Sequence, residues 1–166
     1  VVDCCNGGKN TCNVGGEMYQ GVEYAIKNGL EAETSYPYTA KSGGGCKYSA
    51  SKVLSHMVTG YKNVTSGDEA GLTAATYTQP IVSVGIDASS FTFQMYSTGV
   101  YNNPSCSTTQ LDHGVAVVGY GSDAGKDYYI VRNSWGGTWG LQGYVWMSRN
   151  ANNQCGIATQ ACFATV

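Results

Sequence analysis

Residues 111–143 constrain the fold of this chain more than any other part of its sequence. His113 opens this stretch, and the apolar run 115–118 that follows has the composition of a buried strand. A polar turn separates it from 128–131, which has the pattern of a returning strand. A hairpin of this kind would bring Asn133, which follows the second strand, back towards His113.

The pairing of a histidine with an asparagine has a chemical meaning. A histidine needs an oriented ring to act as a base, and a neutral amide can orient it by accepting its N–H. Trp135 and Trp139, spaced by small residues, would wall the pair off from water. The competing interpretation is a core histidine beside an unrelated asparagine. The complete pattern, His-Gly followed by Asn-Ser-Trp-Gly-x-x-Trp-Gly, favours a catalytic pair.

This pattern resembles the second half of the active site in papain-like cysteine proteases, the family of papain and the cathepsins. The resemblance implies that His113 is the general base and acid, that Asn133 orients it, and that Trp135 shields their hydrogen bond on the leaving-group side. It also implies an α+β fold of two lobes in one N-terminally incomplete peptidase domain. We expect residues 1–50 to be the end of the helical lobe and residues 51–166 to be the complete β-barrel-like lobe.

Composition narrows the possible functions. With 42% hydrophobic and 12% charged residues and a net charge of −2, nothing suggests nucleic-acid binding or attraction to membranes. Seven cysteines favour disulfides and an oxidising compartment, so we expect a lysosomal, endosomal or secreted protein. Zinc is the rival use of cysteine, but Cys4 and Cys5 are adjacent and no ligand pairs recur at zinc spacing. We expect no metal and no cofactor.

The family resemblance extends over the first fifty residues. A Cys-Asn leads to the pair Gly15 and Gly16, with Val14 inserted relative to the usual pattern, and an amphipathic helix follows over residues 17–28. In the family, the second glycine of this pair offers its backbone N–H and C=O to the substrate, and a side chain there would block close approach. Gly16 is the matching residue.

The cysteines can be placed by the same resemblance. It implies the disulfides Cys4–Cys46 and Cys106–Cys155, and a bond from Cys12 to a cysteine upstream of this chain. Cys5 and Cys162 have no usual counterpart and are either free or bonded to each other.

The nucleophilic cysteine is not among these residues. The family signature Cys-Gly-Ser/Ala-Cys-Trp/Tyr is absent, and no cysteine here is followed by Trp or Tyr. We therefore expect a fragment or processed chain, inactive alone, whose upstream segment or light chain carries the nucleophile. The competing class is a non-catalytic structural or binding protein on the papain-like fold.

The resemblance also places substrate contacts, with peptides and proteins as substrates and a propeptide or protein inhibitors as further partners. Specificity in the family depends on the pocket for the second residue before the scissile bond. Its walls match Met18, Gly85 and Leu111, and its floor matches Gln160, whose polarity predicts that a polar side chain is admitted. Asp112 matches a residue whose backbone carbonyl accepts a hydrogen bond from the substrate.

Three further predictions concern the middle of the chain. Asn63 begins an Asn-Val-Thr sequon that an exposed position in a secreted chain would make a glycosylation site. A short capped helix is expected from about Glu69 to Gln79, followed by a strand over residues 81–86. Residues 91–101 have the pattern of a turn and a strand rich in aromatic residues.

Overall fold

The computed structural model of this chain describes residues 1–9, 14–41 and 44–166. These residues form two compact units, one made of residues 1–62 with 164–166 and the other of residues 63–163. Residues 51–62, which we assigned to the β-barrel-like lobe, group with the first unit. The lobe boundary at residue 50 stays a prediction.

The first unit contains one helix and short strands. Helix α1 is Met18–Asn28, strands β1, β2 and β3 are Leu30–Glu31, Val53–Ser55 and Gly60–Asn63, and short 3-10 helices lie at Cys5–Gly8 and Ala50–Lys52. The Gln20 side chain accepts a hydrogen bond from Glu17 N at the start of α1 (3.0 Å), and Gly29, with φ of +71°, ends the helix. The sequence predicted this helix within a residue.

Few side chains are buried in the first unit. Among its described residues, the only buried hydrophobic side chains are Cys5 and Ala25. The Cys4–Cys46 disulfide and the Tyr36 hydroxyl, which donates to Asp3 Oδ2 at 2.8 Å, tie its segments together instead. A disulfide and a side-chain hydrogen bond thus join segments of a unit in which few apolar side chains are buried.

The second unit contains most of the sheet. Its helices are α2, Glu69–Thr78, and α3, Phe91–Gln94, with a 3-10 turn at Gln154–Gly156. The remaining strands are β4 Val82–Ile86, β5 Val100–Tyr101, β6 His113–Asp123, β7 Lys126–Arg132, β8 Tyr144–Ser148 and β9 Ala161–Thr165. The order in the seven-stranded sheet is β3-β9-β4-β6-β7-β8-β5, and all of its pairings from β4 to β8 are antiparallel. The mixed α+β class is as predicted.

The predicted hairpin is the pair β6 and β7. Its two-residue turn consists of Ala124 and Gly125, which both have positive φ (48° and 77°), as a tight hairpin turn requires. Strand β6 is longer than the predicted apolar run, because the ladder continues through Tyr120 opposite Tyr129 to Asp123 opposite Lys126. His113 is therefore the first residue of a strand, where its position is fixed by the sheet.

Alternation along the strands builds the core of the second unit. Tyr129 and Val131 of β7 are fully buried while Arg132 next to them is exposed, and Val145 and Met147 of β8 follow the same period of two. Helix α2 contributes Leu72 and begins at Asp68, whose side chain accepts a hydrogen bond from Gly71 N (2.9 Å). These buried side chains form the core against which the sheet containing the histidine strand packs.

Residues 91–101 differ from the prediction. The predicted turn is one turn of helix, α3, at whose start the Ser90 side chain accepts a hydrogen bond from Thr92 N (3.2 Å). Phe93 of this turn is fully buried, and the strand that follows is only Val100–Tyr101.

Within the described part of the chain, no helix has both the length and the apolar character that crossing a membrane demands.

Candidate active site

The structure brings His113 and Asn133 together. His113 Nε2 lies 2.8 Å from Asn133 Oδ1. His113 begins β6, and Asn133 directly follows β7, with its own N–H bonded to Gly143 O at 2.9 Å. The histidine is half-buried, and Asn133 is only 8% exposed. The geometry is that of a ring held by a buried amide.

A second donor fixes the direction of this hydrogen bond. Ser134 N also donates to Asn133 Oδ1, at 2.7 Å. The shared atom must then be the amide oxygen, because an NH₂ group could not accept from Ser134, and this assigns the amide from its hydrogen-bond network. His113 Nε2 is therefore the donor, and in the neutral ring Nδ1 carries the lone pair that can accept a proton.

Trp135 covers the pair. Its ring stacks on His113 with centroids 5.0 Å apart and an interplanar angle of 29°, although 41% of its surface stays exposed. Phe93 and Trp139 pack edge-on against it at 5.7 and 5.2 Å, and Trp139 Nε1 donates to Gln94 O at 2.9 Å. This aromatic packing holds the indole in place over the imidazole.

An open cleft lies beside the histidine. It has a volume of about 440 Å³, and its lining comprises Ala88, Ser89, Gln94, Asp112, His113 and Trp135. The Asp112 side chain accepts a hydrogen bond from Ala88 N at 2.8 Å, and Asp112 N donates to Ile86 O. The imidazole thus borders a space large enough for part of a peptide.

Three of the predicted pocket residues are neighbours. A Cβ atom built on Gly85 would lie 3.1 Å from Leu111 Cδ1 and 3.1 Å from Gln160 Oε1, so both side chains converge over this glycine. Gly85 is buried in β4 and Gln160 is exposed. A larger residue at position 85 would fill the space between the other two.

The remaining predicted contacts belong to the first unit. Gly15 and Gly16 are exposed, Gly15 has φ of +74°, and Met18 is the half-buried first residue of α1. A φ of +74° suits a glycine, which has no side chain to strain this conformation. The roles of these residues towards a substrate stay predictions.

The cysteines form the two disulfides that the resemblance implies. Cys4–Cys46 lies in the first unit and Cys106–Cys155 in the second. Cys5 and Cys162 are buried and free, so the alternative of a bond between them is wrong. Burial raises the pKa of the Cys162 thiol, which makes it a poor nucleophile. Cys12 lies outside the described residues.

Sequence reasoning missed several residues of the site. Ser134 acts through its backbone N–H, which no side-chain pattern reveals. Phe93 packs behind Trp135, and its place in an aromatic segment was the only available signal. Ser89 and Gln94 also line the cleft, Gln94 as the last residue of α3 and Ser89 in the segment just before that helix. In the described part of the chain, no cluster of His, Cys, Asp or Glu is arranged to hold a metal ion.

Comparison with known proteins identifies the family. The family model "Papain family cysteine protease" matches residues 1–165. The chain is 49% identical over 165 residues to cysteine proteinase 3 of Dictyostelium discoideum and 48% identical over 169 residues to cathepsin L of Sarcophaga peregrina, covering 98% and 100% of this chain. The digestive procathepsin L 3 of Tenebrio molitor larval midgut has the same fold, with a TM-score of 0.92 and 40% identity over 99% of this chain.

A papain-like fold and a shielded His–Asn pair are thus found in one chain. This chain belongs to the papain family of cysteine proteases, and the predicted papain-like α+β fold is confirmed. It spans about half the length of the relatives it matches, 48% of the Dictyostelium protein and 49% of the Sarcophaga protein.

Proposed function

We propose that the protein to which this chain belongs is a cysteine endopeptidase, cathepsin L-like in character. His113 serves as general base and acid, Asn133 orients it, and a cysteine from a segment outside these 166 residues is the nucleophile. The observation that carries the proposal is the 2.8 Å contact between His113 Nε2 and Asn133 Oδ1 beside an open cleft. This chain alone would be inactive.

The proposed reaction uses the free nitrogen of the histidine. Nδ1 takes the thiol proton, and the resulting thiolate attacks the carbonyl carbon of the scissile bond. As the C–N bond breaks, His113 returns the proton to the leaving amine and an acyl-thioester remains. His113 then takes a proton from water, whose oxygen attacks the thioester, and the released thiolate recovers the proton. Peptide and water are consumed, and an acid and an amine are formed.

The unpaired side-chain nitrogen of Asn133 supports the proposal that this residue has a functional role. Its Nδ2 atom is buried and has no hydrogen-bond partner among the described residues. Leaving such a donor unpaired costs about 1–3 kcal/mol. A polar amide retained at that cost is more readily explained by the work of its oxygen than by stability.

The small number of buried apolar side chains in the first unit supports the proposal that a further polypeptide segment packs against it. With only Cys5 and Ala25 buried among its described hydrophobic side chains, this unit leaves much of its apolar surface uncovered. Val1 and Val2 are about half exposed, at 47% and 52%. A further polypeptide segment or light chain that covered this surface would also be the natural carrier of the nucleophile, with Cys12 as its disulfide link.

Substrate binding follows the family pattern in this proposal. Gly16, after Gly15, would pair its backbone with the peptide, and Asp112 would offer its backbone carbonyl. The pocket for the second residue before the scissile bond would be walled by Met18, Gly85 and Leu111 above Gln160. A largely apolar pocket discriminates by only about 1–3 kcal/mol per methylene, so we expect broad selectivity for apolar side chains.

Location and maturation are part of the same proposal. A lysosomal, endosomal or secreted zymogen with a removable propeptide agrees with the disulfides and with a digestive procathepsin among the similar structures. Asn63 and Thr65 are both exposed, so the sequon is accessible, and we propose that Asn63 is glycosylated.

Thiol alkylation of the intact protein tests the proposed nucleophile. Iodoacetamide at neutral pH should rapidly label one cysteine and abolish peptide hydrolysis, and peptide mass mapping should place the label outside these 166 residues. His113→Ala should slow the labelling, because the thiolate would lose its base and its ion-pair partner. Intact masses before and after reduction should reveal whether a second polypeptide is released from the 17.5 kDa chain.

Two outcomes would overturn the proposal. One is rapid labelling of a cysteine within this chain that tracks the loss of activity. The other is an intact protein that hydrolyses no peptide, which would favour a structural or binding role on the same fold.

A further inference from the structure

Asp87 is a buried carboxylate outside the His–Asn pair. It directly follows β4 and is 7% exposed. Its Oδ1 accepts hydrogen bonds from Ser89 N at 3.0 Å and Ser89 Oγ at 2.6 Å, and its Oδ2 accepts one from Ser107 N at 2.6 Å. Burying a charge is costly unless donors satisfy it, and here three donors do so.

These hydrogen bonds connect two parts of the second unit. On one side Asp87 fixes Ser89, which with Ala88 lines the cleft beside His113. Trp135, which the family resemblance places on the leaving-group side, lines the same cleft, so we call Ala88 and Ser89 the leaving-side wall. On the other side it holds Ser107, the residue after Cys106 of the Cys106–Cys155 disulfide. Asp87 N also donates to Cys155 O at 2.9 Å.

The charge state of Asp87 suits this arrangement. Burial acts to raise the pKa of Asp87, but the hydrogen bonds from Ser89 and Ser107 outweigh it and hold the pKa below its usual value. The group is therefore a carboxylate, with two acceptor oxygens, throughout the neutral and mildly acidic range.

We propose that Asp87 is a positioning residue that holds the leaving-side wall in the shape needed to bind the part of a peptide that follows the scissile bond. The inference rests on the proposed peptidase function. Asp87 touches no substrate itself; it acts through Ser89, with the disulfide segment as its anchor. Substrates that extend past the scissile bond should depend on it, and substrates that end there should not.

The substitution Asp87→Asn separates these cases because it preserves size while removing one acceptor. An amide has one oxygen and one NH₂ group, so either Ser89 or Ser107 would face a donor in place of an acceptor. We expect kcat/KM for an internally quenched peptide with residues on both sides of the bond to fall about tenfold or more, the effect of losing one hydrogen bond to a charged group. A peptide methyl ester, whose leaving group is only methanol, should keep its kcat/KM almost unchanged.

Two further variants control the experiment in the intact protein. Asp123→Asn makes the same change at an exposed residue of the β6–β7 hairpin and should leave kcat/KM unchanged for both substrates. Ser89→Ala removes only the hydroxyl donor. It should lower the ratio of kcat/KM for the extended peptide to kcat/KM for the ester, but by less than Asp87→Asn does. If Asp87→Asn does not fold, an unchanged ratio in the Ser89→Ala protein overturns the inference.

The result separates this inference from the proposed function. Equal losses on peptide and ester in a folded Asp87→Asn protein would mean that the residue is merely structural and would overturn the inference. A wild-type protein that hydrolyses neither substrate would overturn the peptidase function itself. A selective loss on the extended peptide supports both.

Discussion

His113 Nε2 and Asn133 Oδ1 lie 2.8 Å apart although 20 residues separate them in the chain. The β6–β7 ladder creates this contact, because β6 begins and β7 ends at the open end of the same hairpin. Ser134 N donates to the same oxygen, so the amide is oriented before any substrate binds. The Asn133 side chain thus orients the imidazole, and the backbone N–H of Ser134 orients that side chain.

This contact predicts unequal effects at the two residues in the intact protein. His113→Ala should lower kcat/KM at least about 10³-fold, because the proposed general base and acid would both be lost. Asn133→Ala should lower it about 10- to 150-fold, since only one hydrogen bond to the charged ring is removed. Steady-state hydrolysis of one peptide by both variants measures this. Equal losses would mean that the asparagine does more than orient.

Gln160 should control the polarity accepted by the proposed pocket for the second residue before the scissile bond. Its Oε1 atom lies over Gly85 and so adds a polar atom to the lining of the proposed pocket. Gln160→Ala should therefore increase the preference for a Leu-Arg over an Arg-Arg peptide, measured as the ratio of kcat/KM values. Gln79→Ala, at the end of α2, is the matched control. An unmoved preference would show that Gln160 is not the floor of the pocket.

The Cys106–Cys155 disulfide should stabilise the second unit substantially. Its cysteines are 49 residues apart, and closing a loop of that length is worth about 4 kcal/mol in the chain-entropy description. Replacing both cysteines with alanine should lower the free energy of unfolding in urea by about that amount. Cys162→Ala, which removes a buried thiol but no cross-link, should cost only about 1 kcal/mol. Similar losses in both variants would contradict a role for the cross-link.

Tyr129 should make stability sensitive to alkaline pH. Burial raises its pKa to about 12, and its hydroxyl donates to Glu69 O at 2.9 Å. A folded-state pKa above the unfolded value of about 10 means that the stabilisation is complete below pH 10 and is lost as pH rises from about 10 to about 12. Tyr129→Phe should lower stability by about 1–2 kcal/mol at pH 8 and flatten this decline.

Urea unfolding of the intact protein between pH 8 and pH 11 measures the alkaline effect. Tyr77→Phe is the control, because Tyr77 is 80% exposed and its hydroxyl should contribute little. An identical pH slope in wild type and Tyr129→Phe would contradict the assignment.

Local pattern was sufficient for the elements of the site. The apolar run after His113, the polar turn at 123–126 and the returning strand predict the hairpin, because strand periodicity and turn chemistry are local properties. The motif around Asn133 and Trp135 predicts the partners of the histidine by resemblance. The capped helices α1 and α2 were likewise visible from their ends and apolar positions.

Local pattern was insufficient where packing or backbone decides. The sequence did not reveal helix α3, because a single helical turn has too few residues to show a period. Packing of the buried Phe93 side chain, which is not a local property, stabilises this turn. The free state of Cys5 and Cys162 was left open by the sequence, since pairing depends on distance in space.

The sequence by itself determined the family and the hairpin and predicted that His113 and Asn133 would meet, because these rest on residue types at fixed spacing. Only the tertiary structure decided which atom of Asn133 faces the ring, what holds Trp135, and that Asp87 links the cleft wall to a disulfide. Those relationships depend on backbone donors and on contacts between residues far apart in the chain, and no local pattern of side chains encodes them.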